Sequence, residues 1–266
     1  MKMLEHIKIT HRIQTMMRGI ALALALWACT GVAMIMFEEP AHGALTYHLA
    51  IAAGFTDEQA TTIALACAGV DHDSRTKPTN IANIYSYKTE YWHFDIKAPE
   101  RLVRHIKKGV PDLVRFGQDL HTVMDVGYKD VPGPHVRGMP VYVPVAIIPT
   151  RVGHPINTNE DGSPSHPFST NADHAHRNPQ ANKALFDRLF LDLIEAARAK
   201  NGPAVQVNHA AANMAIQKLL DAKSNKDVRK FLDEVPAGAS KSYSTIVREN
   251  RGKIRWTVDE IDTSVH

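Results

Sequence analysis

Two cysteines in 266 residues, Cys29 and Cys67, are too few for a disulfide framework or a cysteine-built zinc site. Cys29 lies in an apolar run, and Cys67 lies in the small-residue stretch ALACAG, where its expected role is core packing. Any metal is therefore expected on His, Asp, Glu or backbone groups. The charge is also modest. A formal net of +3 creates no global basic field of the kind that draws in nucleic acid. No internal repeat is visible, and no second domain boundary stands out. The composition is not that of a disordered chain either, since 44% of residues are apolar.

What the chain has in excess is histidine, 15 in all. Histidine is the commonest metal ligand and the side chain that titrates nearest neutral pH. The second marked feature is the N-terminus. Lys2, Lys8, Arg12 and Arg18, against the single acid Glu5, precede the apolar run GIALALALWACTGVAMIMF at residues 19–37. Such a pattern marks a signal peptide or a signal anchor. Nineteen residues at about 1.5 Å each just span a hydrocarbon core of about 30 Å. Ala41-His42-Gly43 offers a small-residue cleavage site, and LWAC loosely resembles a lipoprotein box ending at Cys29. Residues 1–43 are read as this targeting segment, and residues from about 44 onward are expected outside the cytoplasm.

The exported part reads as mainly α, one helical domain over 44–235 followed by a C-terminal extension, 236–266. Gly54 ends a first helix, and TDEQ at 56–59 is a capping box for a second, expected to run to Gly69. Pro99 and Pro111 open two more helices. Residues 74–98, with YWHFD inside them, read as irregular. Residues 130–178 are rich in Pro, Gly, Asn and Ser, and a loop of that length is usually functional. A long helix follows from Pro179, then shorter ones at about 208–222, 225–233 and 240–249.

The chemistry is expected around His121-Thr-Val-Met-Asp125. A spacing of four places an imidazole and a carboxylate on one helical face, about 5–6 Å apart at Cβ. Other His and Asp residues stand at helix ends and in loops: His48, Asp71, His93, His135, His154, Asp173, His174 and His176. Three or four such N and O donors suffice for one zinc ion, so this set is enough for two or three. Tyr85, Tyr87, Tyr91 and Trp92 are read as core packing or a substrate wall. The run Arg104, His105, Lys107, Lys108 is read as a solvated helix face. Arg137 and Arg151 flank the histidine loop.

FGQDLHTVMD at 116–125 resembles the G-x-x-LH-x-x-x-D helix of the zinc-dependent phospholipase C and single-strand-specific nuclease superfamily. GHP at 153–155 resembles that family's later Gly-His. TYHLAIAAGFTDEQATTIALACAGVD and DHAHRNPQANKALFD are similar to segments of its uncharacterised bacterial members. The resemblance covers roughly residues 44–200. It implies a helical zinc phospholipase C-type domain with His48, Asp71, His93, His121 and Asp125 as ligands. Asp125 would bridge two ions, and His135, His154 and Asp173 would complete another ion's shell. It further implies hydrolysis of a phosphoester, in phospholipid or nucleic acid, with Asp71 orienting or deprotonating the attacking water. Two positions depart from the family pattern. Val131 stands where the family has a histidine, and Thr158 where it has an acid.

Two other readings stand beside this one. A non-catalytic, membrane-tethered metal-binding or partner-binding module would keep some of the ligands. An HD-type phosphohydrolase would use the adjacent pair His72-Asp73 with His48 and Asp125.

Overall fold

A computed structural model describes residues 38–73, 76, 90–131, 175 and 179–250, all within the unit formed by residues 37–266. The described residues are mainly helical and contain no strand. The helices in chain order are α1 (Glu38–Leu45), α2 (Thr46–Ala53), α3 (Asp57–His72), α4 (Glu90–Phe94), α5 (Ala98–Lys107) and α6 (Leu113–Val126). They continue as α7 (Pro179–Asn201), α8 (His209–Asp221), α9 (Asn225–Leu232) and α10 (Tyr243–Asn250). Two of them, α1 and α4, are wound as π-helices. Among the described residues no helix is long and apolar enough to cross a membrane, and the run 19–37 lies outside them.

Local chemistry explains most boundaries. The TDEQ box forms as written: Thr56 Oγ1 accepts from Gln59 N at 3.3 Å, and Gln59 Oε1 accepts from Thr56 N at 3.0 Å. Helix α2 ends at Gly54, whose φ of 100° lies in the left-handed region where a Cβ is costly. Asp112 caps α6 by accepting from Arg115 N at 3.0 Å. Helix α3 outruns its expected stop at Gly69 and continues to His72. A single glycine inside a helix costs only about 1 kcal/mol, which packing offsets. Asp71 is thus held in the last turn of a helix rather than in a loop.

Helices α3 and α6 form the central contact. Gly117 makes it possible: a Cβ there would lie 2.5 Å from Ile63 O and 2.8 Å from Ala66 Cβ. Every residue of α6 from Phe116 to Val126 is buried, the pattern of a helix enclosed on all sides. Around this pair pack Leu45, Tyr47, Leu49, Ile63 and Leu102, with Leu185, Phe186, Leu189 and Leu193 from α7. Each such side chain contributes about 1.5–3 kcal/mol on burial. Because α6 has no exposed face in its second half, its polar residues Gln118, Asp119, His121, Thr122 and Asp125 are all interior. Interior polar groups require partners, and those partners define the site.

Both ends of the described unit reach past residues 44–235. Pro40–Ala44, which the sequence reading assigns to the targeting segment, are buried. On the other side Ser240 N donates to Asp57 Oδ2 at 3.1 Å, and Ser240 Oγ and Tyr47 Oη also donate to the Asp57 carboxylate. The ring of Tyr243 fills the space that a Cβ on Gly43 would need. Ser240 and Tyr243, beyond residue 235, therefore pack on α3 and α1.

Candidate metal centre

Three imidazoles and two carboxylates meet between α1, α3, α4 and α6: His42, Asp71, His93, His121 and Asp125. All five are buried, His121 completely. Asp125 is the hub. Its Oδ2 lies 3.2 Å from His93 Nδ1 and 3.2 Å from His121 Nε2, and its Oδ1 lies 3.3 Å from His42 Nε2. Asp71 Oδ1 stands 3.6 Å from His121 Nε2 and 3.8 Å from His93 Nδ1. His93 Nδ1 and His121 Nε2 are only 3.1 Å apart. The rings of His42 and His121 lie at a centroid distance of 4.1 Å, tilted by 34°.

The local backbone explains this convergence. His121 and Asp125 share a face of α6 by their spacing of four. Asp71 comes from the last turn of α3, aligned by the close approach at Gly117. His42 and His93 both sit in π-wound turns, a helical distortion that recurs at functional sites because it re-aims side chains. His93 Nε2 is additionally fixed by the Thr76 carbonyl at 3.2 Å, and the Thr76 hydroxyl donates to Val70 O at 2.6 Å. Thr122 Oγ1 donates to Trp92 O at 2.7 Å and ties α4 to α6.

Burial disfavours imidazolium throughout the cluster, but the neighbours divide the outcome. His42 is raised to about 10, because the Asp125 contact and, behind it, Cys67 outweigh desolvation. His93 is raised in the same way by Asp125 and Asp71. His121 is lowered to about 3, first by burial and then by the charge of His42. The carboxylates of the cluster thus favour a proton on His42 and on His93, while burial disfavours one on His121. His121 Nδ1 has no hydrogen-bond partner. A buried donor set of imidazole N and carboxylate O, converging on His121 Nε2, suits zinc or a similar divalent ion. The ligand atoms of Asp71, His93 and His121 lie within 4.8 Å of one another, close enough to hold one ion.

Of the expected ligands, Asp71, His93, His121 and Asp125 come together here. His48 does not. It faces the other side of α2 and stacks on Phe231 at 5.0 Å, beside Glu234 and Lys218. His135, His154 and Asp173 lie outside the described residues. His72 is exposed, so Asp71 rather than the pair His72-Asp73 faces the cluster. The sequence reading assigned His42 to a cleavage triplet and missed it here. It also excluded thiol chemistry, whereas Cys67 Sγ lies 4.0 Å from His42 Nδ1. The one local signal for both is their small-residue setting, PAHGA and ALACAG, which lets backbones approach.

Beside the cluster lies a second interior network. Asp119 accepts from Arg101 Nε at 2.8 Å and faces His105 Nε2 at 2.9 Å. Arg101 also pairs with Asp95 and lies 4.3 Å over the Tyr91 ring, and Arg115 donates to Tyr91 Oη. His105 is therefore half-buried against this network, whereas Arg104, Lys107 and Lys108 form the solvated face expected of them. Comparison with known proteins finds no matching family model, no matching curated protein and no matching solved structure.

Proposed function

We propose that this chain is a metal-dependent hydrolase of phosphoesters that acts outside the cytoplasm, with zinc held by Asp71, His93, His121 and Asp125. One observation carries the reading: imidazoles and carboxylates from positions 42 to 125 meet in one buried pocket, although they come from four separate helices. Folding places charged groups in the interior only at a cost of several kcal/mol each, and a bound cation offsets that cost. The order of LH-x-x-x-D, the later Gly-His and the upstream Asp and His supports the phospholipase C and nuclease chemistry. The apolar run at 19–37, preceded by basic residues, supports export or anchoring.

When bound, zinc supplies a Lewis acid and lowers the pKa of a coordinated water towards 7. The protein's own residues supply the rest. Asp125 spans the cluster with its two oxygens on different imidazoles, the arrangement a bridging carboxylate needs. Asp71, in the last turn of α3, is the carboxylate to orient or deprotonate a water. Thr76 holds the His93 ring through its far nitrogen, as outer partners of metal-bound histidines do. Phospholipid and nucleic acid both remain substrates of this class. The modest charge favours lipid over a long polyanion.

The non-catalytic module is the second reading, and burial favours it. Catalytic zinc keeps an open position, whereas structural zinc is closed. All five residues of this cluster are buried among the described residues. The decisive experiment measures metal content of the purified protein and turnover of bis-p-nitrophenyl phosphate, each with and without chelator, for wild type and His121→Ala. Hydrolysis that disappears with chelator and in the variant supports the hydrolase. Bound metal without turnover supports the module. Turnover indifferent to chelator overturns the metal reading altogether.

A further inference from the structure

The cluster has a second edge. The ligand atoms of His42, Cys67 and His121 lie within 4.8 Å of one another, and all three residues are buried. Cys67 Sγ is 4.0 Å from His42 Nδ1 and 3.9 Å from Met124 Sδ. Thr46 Oγ1 stands 3.8 Å from the thiol and 3.6 Å from the thioether. His121 already engages His93, Asp71 and Asp125 through Nε2, so Nδ1, wholly buried and without a hydrogen-bond partner, is the nitrogen left over.

We infer that His42, Cys67 and His121 form a second metal site, of soft-donor character, that takes a thiophilic ion such as zinc, cadmium or copper(I). One thiolate, two imidazoles and a nearby thioether are the donors that select such ions, whereas carboxylates select harder ones. His121 belongs to both donor sets, so the chain presents a soft edge and a hard edge around a common imidazole. Bonds of about 2.0–2.3 Å place tetrahedral donors about 3.5 Å apart, so the side chains close inward on binding. Binding releases the Cys67 thiol proton to solvent, and the ion replaces it. Asp125, opposite His42 Nε2, keeps that ring oriented.

The test titrates the metal-free full chain with cadmium or cobalt(II). It follows the thiolate-to-metal charge-transfer absorbance and counts bound ions by elemental analysis. Wild type, Cys29→Ala and Asp71→Asn should each develop the band. Cys67→Ala should lose it while still holding one ion fewer than wild type. A wild type that binds metal without the band overturns the soft site, and so does a band that survives in Cys67→Ala. The wild-type spectrum decides even where a variant does not fold. A band without phosphoesterase activity leaves this site standing and removes the hydrolase. Activity without a band does the reverse.

Discussion

His93 Nδ1 and His121 Nε2 face each other across 3.1 Å, with Asp125 Oδ2 at 3.2 Å from both. Two ring nitrogens so close, and both beside one carboxylate oxygen, cannot each keep a favourable proton. Asp125 and Asp71 outweigh burial and raise His93, whereas burial and the neighbouring His42 lower His121. A divalent ion held by Asp71, His93 and His121 would relieve that conflict, because imidazole nitrogens and carboxylate oxygens could then face a cation.

Metal should therefore stabilise the fold measurably. At a free concentration of about a hundred times Kd, a single site adds about 2.7 kcal/mol. Wild type is expected to show a rise in Tm with added zinc that chelator reverses. His121→Ala, which removes the ligand common to both donor groups, should show none. Thermal scans at fixed zinc check this. A variant that gains as much as wild type would place the ion elsewhere.

The α3–α6 contact should control the site from a distance. A methyl at Gly117 meets Ile63 O at 2.5 Å and Ala66 Cβ at 2.8 Å, neither able to swing away. Gly117→Ala is expected to cost about 1–3 kcal/mol, the usual range for overpacking. It should also weaken metal binding, because Asp71 on α3 and His121 on α6 would be forced apart. Gly202→Ala is the control. Nothing lies within 4 Å of its Cβ, although its φ of 95° penalises alanine by about 1 kcal/mol. Urea melts and zinc titrations of both variants should separate the two effects.

The helices were largely legible in sequence because their signals are local. The TDEQ box, Gly54, Pro99 and the stop at Gly202 act within a turn of where they stand, whereas Pro111 lies outside its helix and Asp112 caps it instead. His121 and Asp125 were legible for the same reason, being one turn apart. The rest of the centre was not. His42 enters it only because α1 is π-wound and packed under Tyr243, some two hundred residues away in sequence. Cys67 looks like filler until His42 is placed beside it. His48 fails in the opposite sense. Its position on an apolar helix is compatible with either side, and packing against Phe231 decided it.

That placement makes His48 a source of acid sensitivity. Burial lowers it to about 4, against an ordinary value of 6.5. Between those values the unfolded chain takes up a proton that the folded chain does not, so stability falls as pH drops from about 6.5 to about 4. The full loss is about 3 kcal/mol, and none is added by this group below that window. His48→Leu should flatten this part of the profile while leaving zinc stoichiometry unchanged. Denaturant midpoints measured from neutral pH down to about 4 provide the check. A profile as steep in the variant as in wild type would exclude His48 as the cause.

Asp119 should set the limit at still lower pH. Burial favours its protonated form, but His105, Arg101 and Arg115 outweigh burial and hold its pKa below the ordinary carboxylate value. Its contribution is complete above about 3.9 and is lost as pH falls through the lower, folded value. At neutral pH the pairing itself can be tested. Asp119→Asn leaves the Arg101 guanidinium buried against Tyr91 and short of one carboxylate. Breaking a buried pair from one side costs about 3–5 kcal/mol. Asp119→Asn with Arg101→Met should recover part of that loss, because the stranded charge is gone. Unfolding free energies of the two single variants and the double variant close the cycle. If the losses simply add, Arg101 and Asp119 do not act as a pair, and their contact contributes nothing to holding α5 against α6.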